Sequence, residues 1–366
     1  KDDVSRRRGN AEVSTVSRWL DTSKANDKWI DKNVTTTTSF DEQGRALVQT
    51  QDTYTYDSSI GDITLAFHNH MENSDYNNRG DAGRQAITSY RVTAGTETLV
   101  DYKIMTNRTY DASHNIVNQM VLTYSDSTSA TPLDVQEIRN IGMDPTGMAL
   151  KQVIVTYADI NKLNQIGVKV IDNKDFSGAT NTGIRIITNY SSVEFKDGDT
   201  SKEIIGYTGE LDRQTIDVLS ADNRGNATHQ TVKSEGFVDG VWSFSGMQDI
   251  ANDSIDIHDQ TGHSIVKNYK AETMSADNFT TLEDINYTQY DKFGNVETQN
   301  IKTYTDELST VLKDYKEVVN TFKDDVSRRR GNAETSTVSR WTDTSKANDK
   351  WIDKNVTTTT SFDEQG

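Results

Sequence analysis

The chain has no cysteine and only two prolines among its 366 residues. Without cysteine there is no disulfide framework and no thiolate metal site. No apolar run approaches the roughly 18 residues that a membrane-spanning helix needs. Basic residues are also in deficit: 39 Lys and Arg stand against 56 Asp and Glu, a formal charge of −17 with a pI near 4.8. Such a balance argues against nucleic acid or an anionic membrane as partner. Apolar residues make up 33% and the mean hydropathy is −0.74, too little for a deep globular interior. That composition suits thin β-structure with half of each strand's side chains in water. The 15 Tyr, 10 Phe and 5 Trp, with so little proline, set it apart from a disordered segment. There is no nucleophile elbow, no phosphate loop and no HExxH, and no spacing singles out a catalytic pair among the carboxylates. The expectation is a non-enzyme without a cofactor.

What the chain does have is a recurrent D-x-x-G. It occurs at Asp41/Gly44, Asp144/Gly147, Asp175/Gly178, Asp222/Gly225, Asp259/Gly262, Asp291/Gly294 and Asp363/Gly366, with Asn77/Gly80 and Asp111/His114 as one-residue variants. Aspartate at the first position of a type I turn accepts from the backbone two residues on. Glycine at the fourth takes positive φ and lets a second strand leave antiparallel to the first. Pro145 falls where that turn wants a fixed negative φ, and histidine is among the residues that tolerate positive φ. Each copy is predicted to be the tip of a β-hairpin.

Residues 1–44 and 323–366 are the same segment, identical at 42 of 44 positions and differing only at Val13/Thr335 and Leu20/Thr342. Packing alone tolerates more drift than that. The expected organisation is one complete long repeat, 1–322, holding about nine hairpins counting a modified turn at Arg328–Asn332, followed by the start of the next, 323–366. The chain begins at Lys1 without an initiator methionine or a secretory signal, and reads as a segment of something longer.

A second marker keeps step with the turns. Ten residues after the turn glycine or its substitute stands an aromatic: Trp19, Tyr54, Tyr90, Tyr124, Tyr157, Tyr304 and Trp341, often followed two later by aspartate (Asp21, Asp126, Asp159, Asp306, Asp343). At a constant distance along outgoing strands these aromatics should form a ladder. The units at Gly178, Gly225 and Gly262 lack it at that spacing. Flanking segments such as Val168–Asp172 and Ala46–Thr50 alternate with a period of two, as strands do. Leu308, Val311, Leu312, Tyr315, Val318, Val319 and Phe322 break the pattern with helical spacing; a helix from Asp306 to about Asp314 is predicted, and a short helical turn around Lys24–Ile30 and its copy.

Other residues invite functional readings. His68 and His70 share a strand face without a third metal ligand, and His258 and His263 flank one turn. Arg79-Gly80-Asp81 is an integrin-type tripeptide on a predicted tip, at a place where the turn itself demands glycine. Arg6–Arg8 is a basic tip on an acidic molecule. Asp197-Gly198-Asp199 and Asp172–Asp175 are candidate calcium ligands without EF-hand spacing.

Tyr290-Asp291-Lys292-Phe293-Gly294-Asn295, Tyr110-Asp111-Ala112-Ser113-His114-Asn115 and Phe40-Asp41-Glu42-Gln43-Gly44-Arg45 resemble the YD repeat of the rearrangement-hotspot and teneurin family. The resemblance implies successive hairpins coiling into a continuous β-sheet shell, exported or extracellular. The expected fold is all-β: tandem antiparallel β-hairpins in a continuous spiralling sheet, solenoid-like or shell-like, with one or two short helices. The expected function is that of a large tandem-repeat bacterial surface protein building a β-rich fibre, tube or stalk, with other copies of the repeat as partners. Alternatives are an adhesin-type module for carbohydrate, protein or calcium, and the encapsulating shell of a polymorphic toxin.

Overall fold

A computed structural model describes residues 11–25, 28–162, 165–178, 180–195 and 204–361. The Arg6–Arg8 tip, the Asp363/Gly366 turn and Asp197–Asp199 lie outside them. The chain is all-β, with twenty strands and almost no helix among the described residues. It divides into two compact units, 1–141 with 156–163, and 142–155 with 164–366.

The first unit contains β1 (Val13–Trp19), β2 (Trp29–Phe40), β3 (Ala46–Asp57), β4 (Asp62–Tyr76), β5 (Ala82–Thr93), β6 (Thr96–Tyr110), β7 (Ile116–Tyr124) and nearly all of β8 (Asp134–Met143). Each pairs antiparallel with the next in sequence. Most of β9 (Ala149–Tyr157) belongs to the second unit. It is followed there by β10 (Gln165–Asp172), β11 (Gly183–Phe195), β12 (Ile204–Ala221), β13 (Ala227–Val238), β14 (Val241–Asp253), β15 (His263–Tyr269), β16 (Phe279–Tyr290), β17 (Val296–Tyr304), β18 (Leu312–Thr321), β19 (Thr335–Trp341) and β20 (Trp351–Thr358), again pairing in order.

The core is as thin as the composition implies. In the second unit Val266, Ile285, Ile301 and Val318 come from four successive strands, with Ile250 and Val338 packed against them from the strands on either side. One apolar residue per strand is enough to hide that face, which is why 33% apolar content suffices.

Hairpins close at both ends of the strands. At the end opposite the D-x-x-G turns the connections range from two residues, between β5 and β6 and between β13 and β14, to nine, between β7 and β8. Ala94-Gly95 (φ 48° and 78°) and Asp239-Gly240 (φ 52° and 81°) have positive φ at both central residues, the backbone of a two-residue hairpin turn. Elsewhere at this end aspartate carboxylates accept from N–H groups two residues on, as in Asp21/Ser23, Asp57/Ser59, Asp126/Thr128, Asp159/Asn161 and Asp343/Ser345. Asp21, Asp126, Asp159 and Asp343 are the aspartates two residues after the aromatic; Asp57 stands three after Tyr54.

The helix expected from Asp306 is not there. Asp306 instead takes the N–H groups of Thr310 and Val311 onto its carboxylate, closing a loop that delivers Leu312 into β18. Leu308 and Val311, which supplied the helical spacing, are exposed. Among the described residues the one α-helix is α1, Asp325–Arg329, capped by Asp324, and a 3₁₀ turn spans Asn348–Lys350.

Candidate functional site: a ladder of interlocked turns

Six of the D-x-x-G positions and variants have the expected local geometry. The fourth residue's N–H donates to the carbonyl of the first at Asp41/Gly44, Asn77/Gly80, Asp111/His114, Asp144/Gly147, Asp222/Gly225 and Asp291/Gly294, at 3.0 to 3.3 Å. Its φ lies between 66° and 97° in every case. The first side chain accepts from N–H groups two and four residues on, as Asp291 does from Phe293 and Asn295 at 2.8 and 2.9 Å. At Asp111 and Asp144 such bonds favour the charged carboxylate. Asp144 is held below the usual carboxylate range chiefly by the Thr146 hydroxyl, and Asp111 chiefly by the Asn115 side chain.

The six differ in burial: Gly80, His114, Gly147 and Gly294 are exposed, and Gly44 and Gly225 are half-buried. The Asp144/Gly147 turn lies in the second unit, as do those at Asp222/Gly225 and Asp291/Gly294. Asp144, Thr146 and Met148 of this turn approach Gly178. Backbone conformation alone, a φ of 87°, calls for glycine at 147.

Two positions differ more. At Asp259/Gly262 the turn lies three residues earlier: Asp259 N–H donates to Asp256 O at 3.2 Å, and Asp259 itself adopts φ 63°. Aspartate tolerates that conformation, so Asp256-Ile257-His258-Asp259 forms the turn without glycine. Gly262 instead has Ser254 O 2.7 Å from where a Cβ would stand. At Asp175/Gly178 the reversal lies further on, where Ser177 bridges Thr182 and Asn181 takes φ 54°. Gly178 serves a close approach: a Cβ there would lie 2.4 Å from Thr146 Oγ1 and 3.0 Å from the Asp144 carboxylate.

Successive turns lock onto one another. Arg79 donates to the carbonyls of Asp111 and Ala112, at 2.8 and 3.1 Å, and His114 lies 2.5 Å from the Asp81 carboxylate. Arg224 donates to Asp256 O at 2.7 Å and pairs with Asp259 at 3.1 Å, while Asn226 reaches Asp259 at 2.8 Å. Lys292 pairs with Asp325 at 3.0 Å, and Arg328 lies 3.2 Å from Asp291 and 2.8 Å from Glu297. The Arg79-Gly80-Asp81 tripeptide is consumed in this way: both charged ends are engaged and the Asp81 side chain is 6% exposed.

Two further markers went unread in the sequence. The tyrosine before the turn sends its hydroxyl to the carbonyl two residues past the previous turn: Tyr76 to Ala46, Tyr110 to Ala82 at 2.8 Å, and Tyr290 to Thr261 at 2.6 Å. Burial raises all three phenols, Tyr290 to about 12. Four residues before the turn or α1's cap, an asparagine amide does the same: Asn73 to Ala46, Asn140 to Ile116, Asn252 to Ala227 and Asn320 to Val296, with Asn173 to Ala149 as a fifth case. The regular spacing of these asparagines was the available signal.

The aromatics mark β-bulges. The register shifts immediately before Trp19, Tyr54, Tyr90, Tyr304 and Trp341, an extra residue re-aiming the side chain. Tyr269 occupies the same place, ten residues after Asp259, and Glu235 stands there after Gly225, paired with Arg213 and Lys233. Tyr90, Tyr124 and Trp341 meet cross-strand rings, His68, Tyr102 and Trp351 respectively, at 5.1 to 6.1 Å. Tyr157 is buried in β9.

The histidines lie beside carboxylates. His68 meets Asp52 at 2.6 Å, His70 lies 3.6 Å from Glu72, and His263 sits between Asp253 and Asp284 at 2.8 and 3.1 Å. Among the described residues no three His, Asp or Glu side chains group so as to hold a metal ion, and no helix is long and apolar enough to cross a membrane.

No known family and no curated protein matches the chain. Among solved structures the crystal structure of TcdB2-TccC3 is similar over 93% of this chain and 20% of that one, at 10% identity and a TM-score of 0.21. This chain therefore spans about a fifth of the length of that protein.

Proposed function

We propose that the protein is structural: near-identical long repeats, each a run of antiparallel hairpins, extend a β-rich fibre, tube or stalk at the cell surface. Repetition itself is the mechanism. Each hairpin covers the edge of the one before, so stability accumulates with length. The observation that carries this reading is the second copy of the first hairpin. β19–β20 repeats the register of β1–β2 residue for residue, from Thr335↔Thr358 to Trp341↔Trp351 against Val13↔Thr36 to Trp19↔Trp29. Its bidentate Arg340–Asp353 pair likewise repeats Arg18–Asp31. The hairpin near the start of the 322-residue period thus recurs with the same local geometry, which supports the reading. Chains carrying one, two and three long repeats should give particles in electron micrographs whose length grows by a constant increment. Compact particles with no common axis would refute the reading.

An adhesin is the second reading, supported by a polar hollow of about 380 Å³ in the second unit lined by Ser234, Gln248, Asn268, Tyr269 and Thr280. Amides and a tyrosine beside one another suit a sugar. Retention on a glycan array that is lost in Tyr269→Ala would move the assignment there.

A further inference from the structure

Within the second unit one strand runs on past its neighbour. β14 pairs with β13 from Val241 onward, but β15 joins its other side only from Met247, opposite Tyr269. Past Tyr269 the loop 270–278 closes on itself, Lys270 N–H donating to Asn278 O at 2.9 Å, and among the described residues no main-chain bond reaches 241–246 from that side. Glu272 of the loop reaches Lys233 at 2.7 Å instead. Alternation puts Trp242 and Phe244 on one face with Phe237, whose ring centre is 5.0 Å from that of Trp242, and the Arg213 guanidinium stands 4.4 Å from the same ring. Val241 and Ser243 take the opposite face, and both are exposed. The stretch 241–245 holds no charge and no proline, the devices that keep an edge from pairing. The corresponding stretch of β6, 96–100, likewise runs past β7, which pairs only from Tyr124 opposite Tyr102, but it carries an exposed Glu97.

We propose that the free edge of β14 pairs with the same edge of a second copy of the chain, antiparallel about a two-fold axis at Ser243, with Trp242 opposite Phe244 of that copy. The stretch is complementary to itself in this register. A two-residue loop closes on a hydrogen-bonded pair, Val238↔Val241, so alternation turns the N–H and C=O of Trp242 and Phe244 outward. On each side of the axis these two residues exchange main-chain bonds, and Ser243 meets its counterpart in a non-hydrogen-bonded pair. Aromatic faces aromatic across the junction, which extends the Phe237–Trp242 row, and serine faces serine. An axis through Trp242 would set Phe244 opposite Gly240 in the turn and lose its bonds. The contact uses one patch on both copies and therefore closes as a dimer. It goes beyond the fibre reading: it joins chains side by side and requires no more than one β13–β14 hairpin in each.

The chain has no cysteine, so an engineered thiol reports without background. Side chains of a non-hydrogen-bonded pair approach closely enough for a disulfide. Under mild oxidation of the full chain, Ser243→Cys is expected to give disulfide-linked dimers. Val241→Cys, also exposed and on the same face but displaced from the axis, should remain monomeric. Without any substitution the chain should double its mass with rising concentration in sedimentation. Trp242→Pro should hold it at the monomer mass while leaving β13–β14 paired, because the lost N–H faces outward; an unchanged circular dichroism spectrum verifies that. Trp242→Ala keeps the N–H and loses only the ring, and should weaken the dimer less than Trp242→Pro does. A mass that stays monomeric at every concentration, equal cross-linking through the two thiols, or a dimer insensitive to Trp242→Pro overturns the proposal.

Discussion

The first hairpin, β1–β2, and its copy, β19–β20, differ at two residues, Val13/Thr335 and Leu20/Thr342, and have two degrees of burial. In the copy, β18 covers β19, so Ser339 and Trp341 are buried and Val338 packs against the Val318 row; in the first, β1 pairs only with β2 among the described residues, and Val16 is 53% exposed. On the other strand the contrast reverses. β2, covered by β3, has half-buried Trp29 and Ile30, whereas Trp351 and Ile352 on β20 are exposed. The register, the edge-to-face tryptophan pair at 4.6 and 5.1 Å and the arginine–aspartate pair are the same in both. A hairpin here fixes its own geometry locally, and its neighbours decide how much of it is hidden from water.

The largest test of that separation is one substitution made twice. Trp341→Ala removes a ring packed between Tyr315 and Trp351, and should cost about 3–5 kcal/mol. Trp19→Ala removes the same ring from a half-exposed setting and should cost about 1 kcal/mol. Because repeat arrays open piecemeal, amide hydrogen exchange of β19 and β1 is the appropriate measurement. Equal costs would mean that burial by the flanking strand contributes nothing.

Next comes the turn ladder, which connects neighbours at the strand ends. Asp291→Ala removes the acceptor of Phe293 and Asn295 N–H, of the Asn295 amide and of Arg328, and should cost about 2 kcal/mol, read as faster exchange in β16 and β17. Tyr290→Phe deletes only the bond to Thr261 and should cost about 1 kcal/mol. Tyr290 also predicts an alkaline limit. Its folded-state value near 12 exceeds the roughly 10 of an unfolded tyrosine, so its contribution is complete below about pH 10 and fades as pH rises towards 12. Tyr290→Phe should flatten that decline in a pH series of melting curves.

Those turns were legible because one aspartate and one glycine determine them locally. The failures have equally specific causes. Gly178 and Gly262 completed the D-x-x-G string, yet each is a glycine for close approach, to Thr146 and to Ser254, and Asp259 could take positive φ itself. Gly147 and Gly178 show the two uses of one residue type side by side: Gly147 is exposed and needs only its positive φ, while Gly178 needs only the room beside Thr146. The motif string treats them alike and cannot tell them apart. The apolar spacing from Leu308 to Phe322 imitated a helix because a loop and a strand were read as one element, and only the Asp306 carboxylate bonds separate them. The tyrosine hydroxyl and asparagine amide contacts reach back 24 to 30 residues. No local pattern encodes a bond of that span, although the spacing of the donors repeats.

A smaller effect tests charge within the ladder. His263 is half-buried between Asp253 and Asp284, and although burial opposes the charge, bonds to both carboxylates raise its value above that of a free imidazole. A raised folded-state value means stability that is complete below the unfolded value of about 6.5 and is lost as pH rises through the folded one. His263→Gln should remove that acid-side gain and leave stability at pH 9 unchanged, with melting temperature against pH as the measurement.

The smallest expected effect bears most directly on the two copies. Val13 and Leu20, the only residues at which they differ, are each 55% exposed. Converting the first copy to the second by Val13→Thr and Leu20→Thr should shift the opening free energy of β1–β2 by less than about 0.5 kcal/mol. The hairpins would then be chemically the same over all 44 residues, yet β19 should remain protected from exchange and β1 should not. If the substitutions brought the two protections together, the difference would reside in those two side chains; if the gap persists, it belongs to β18.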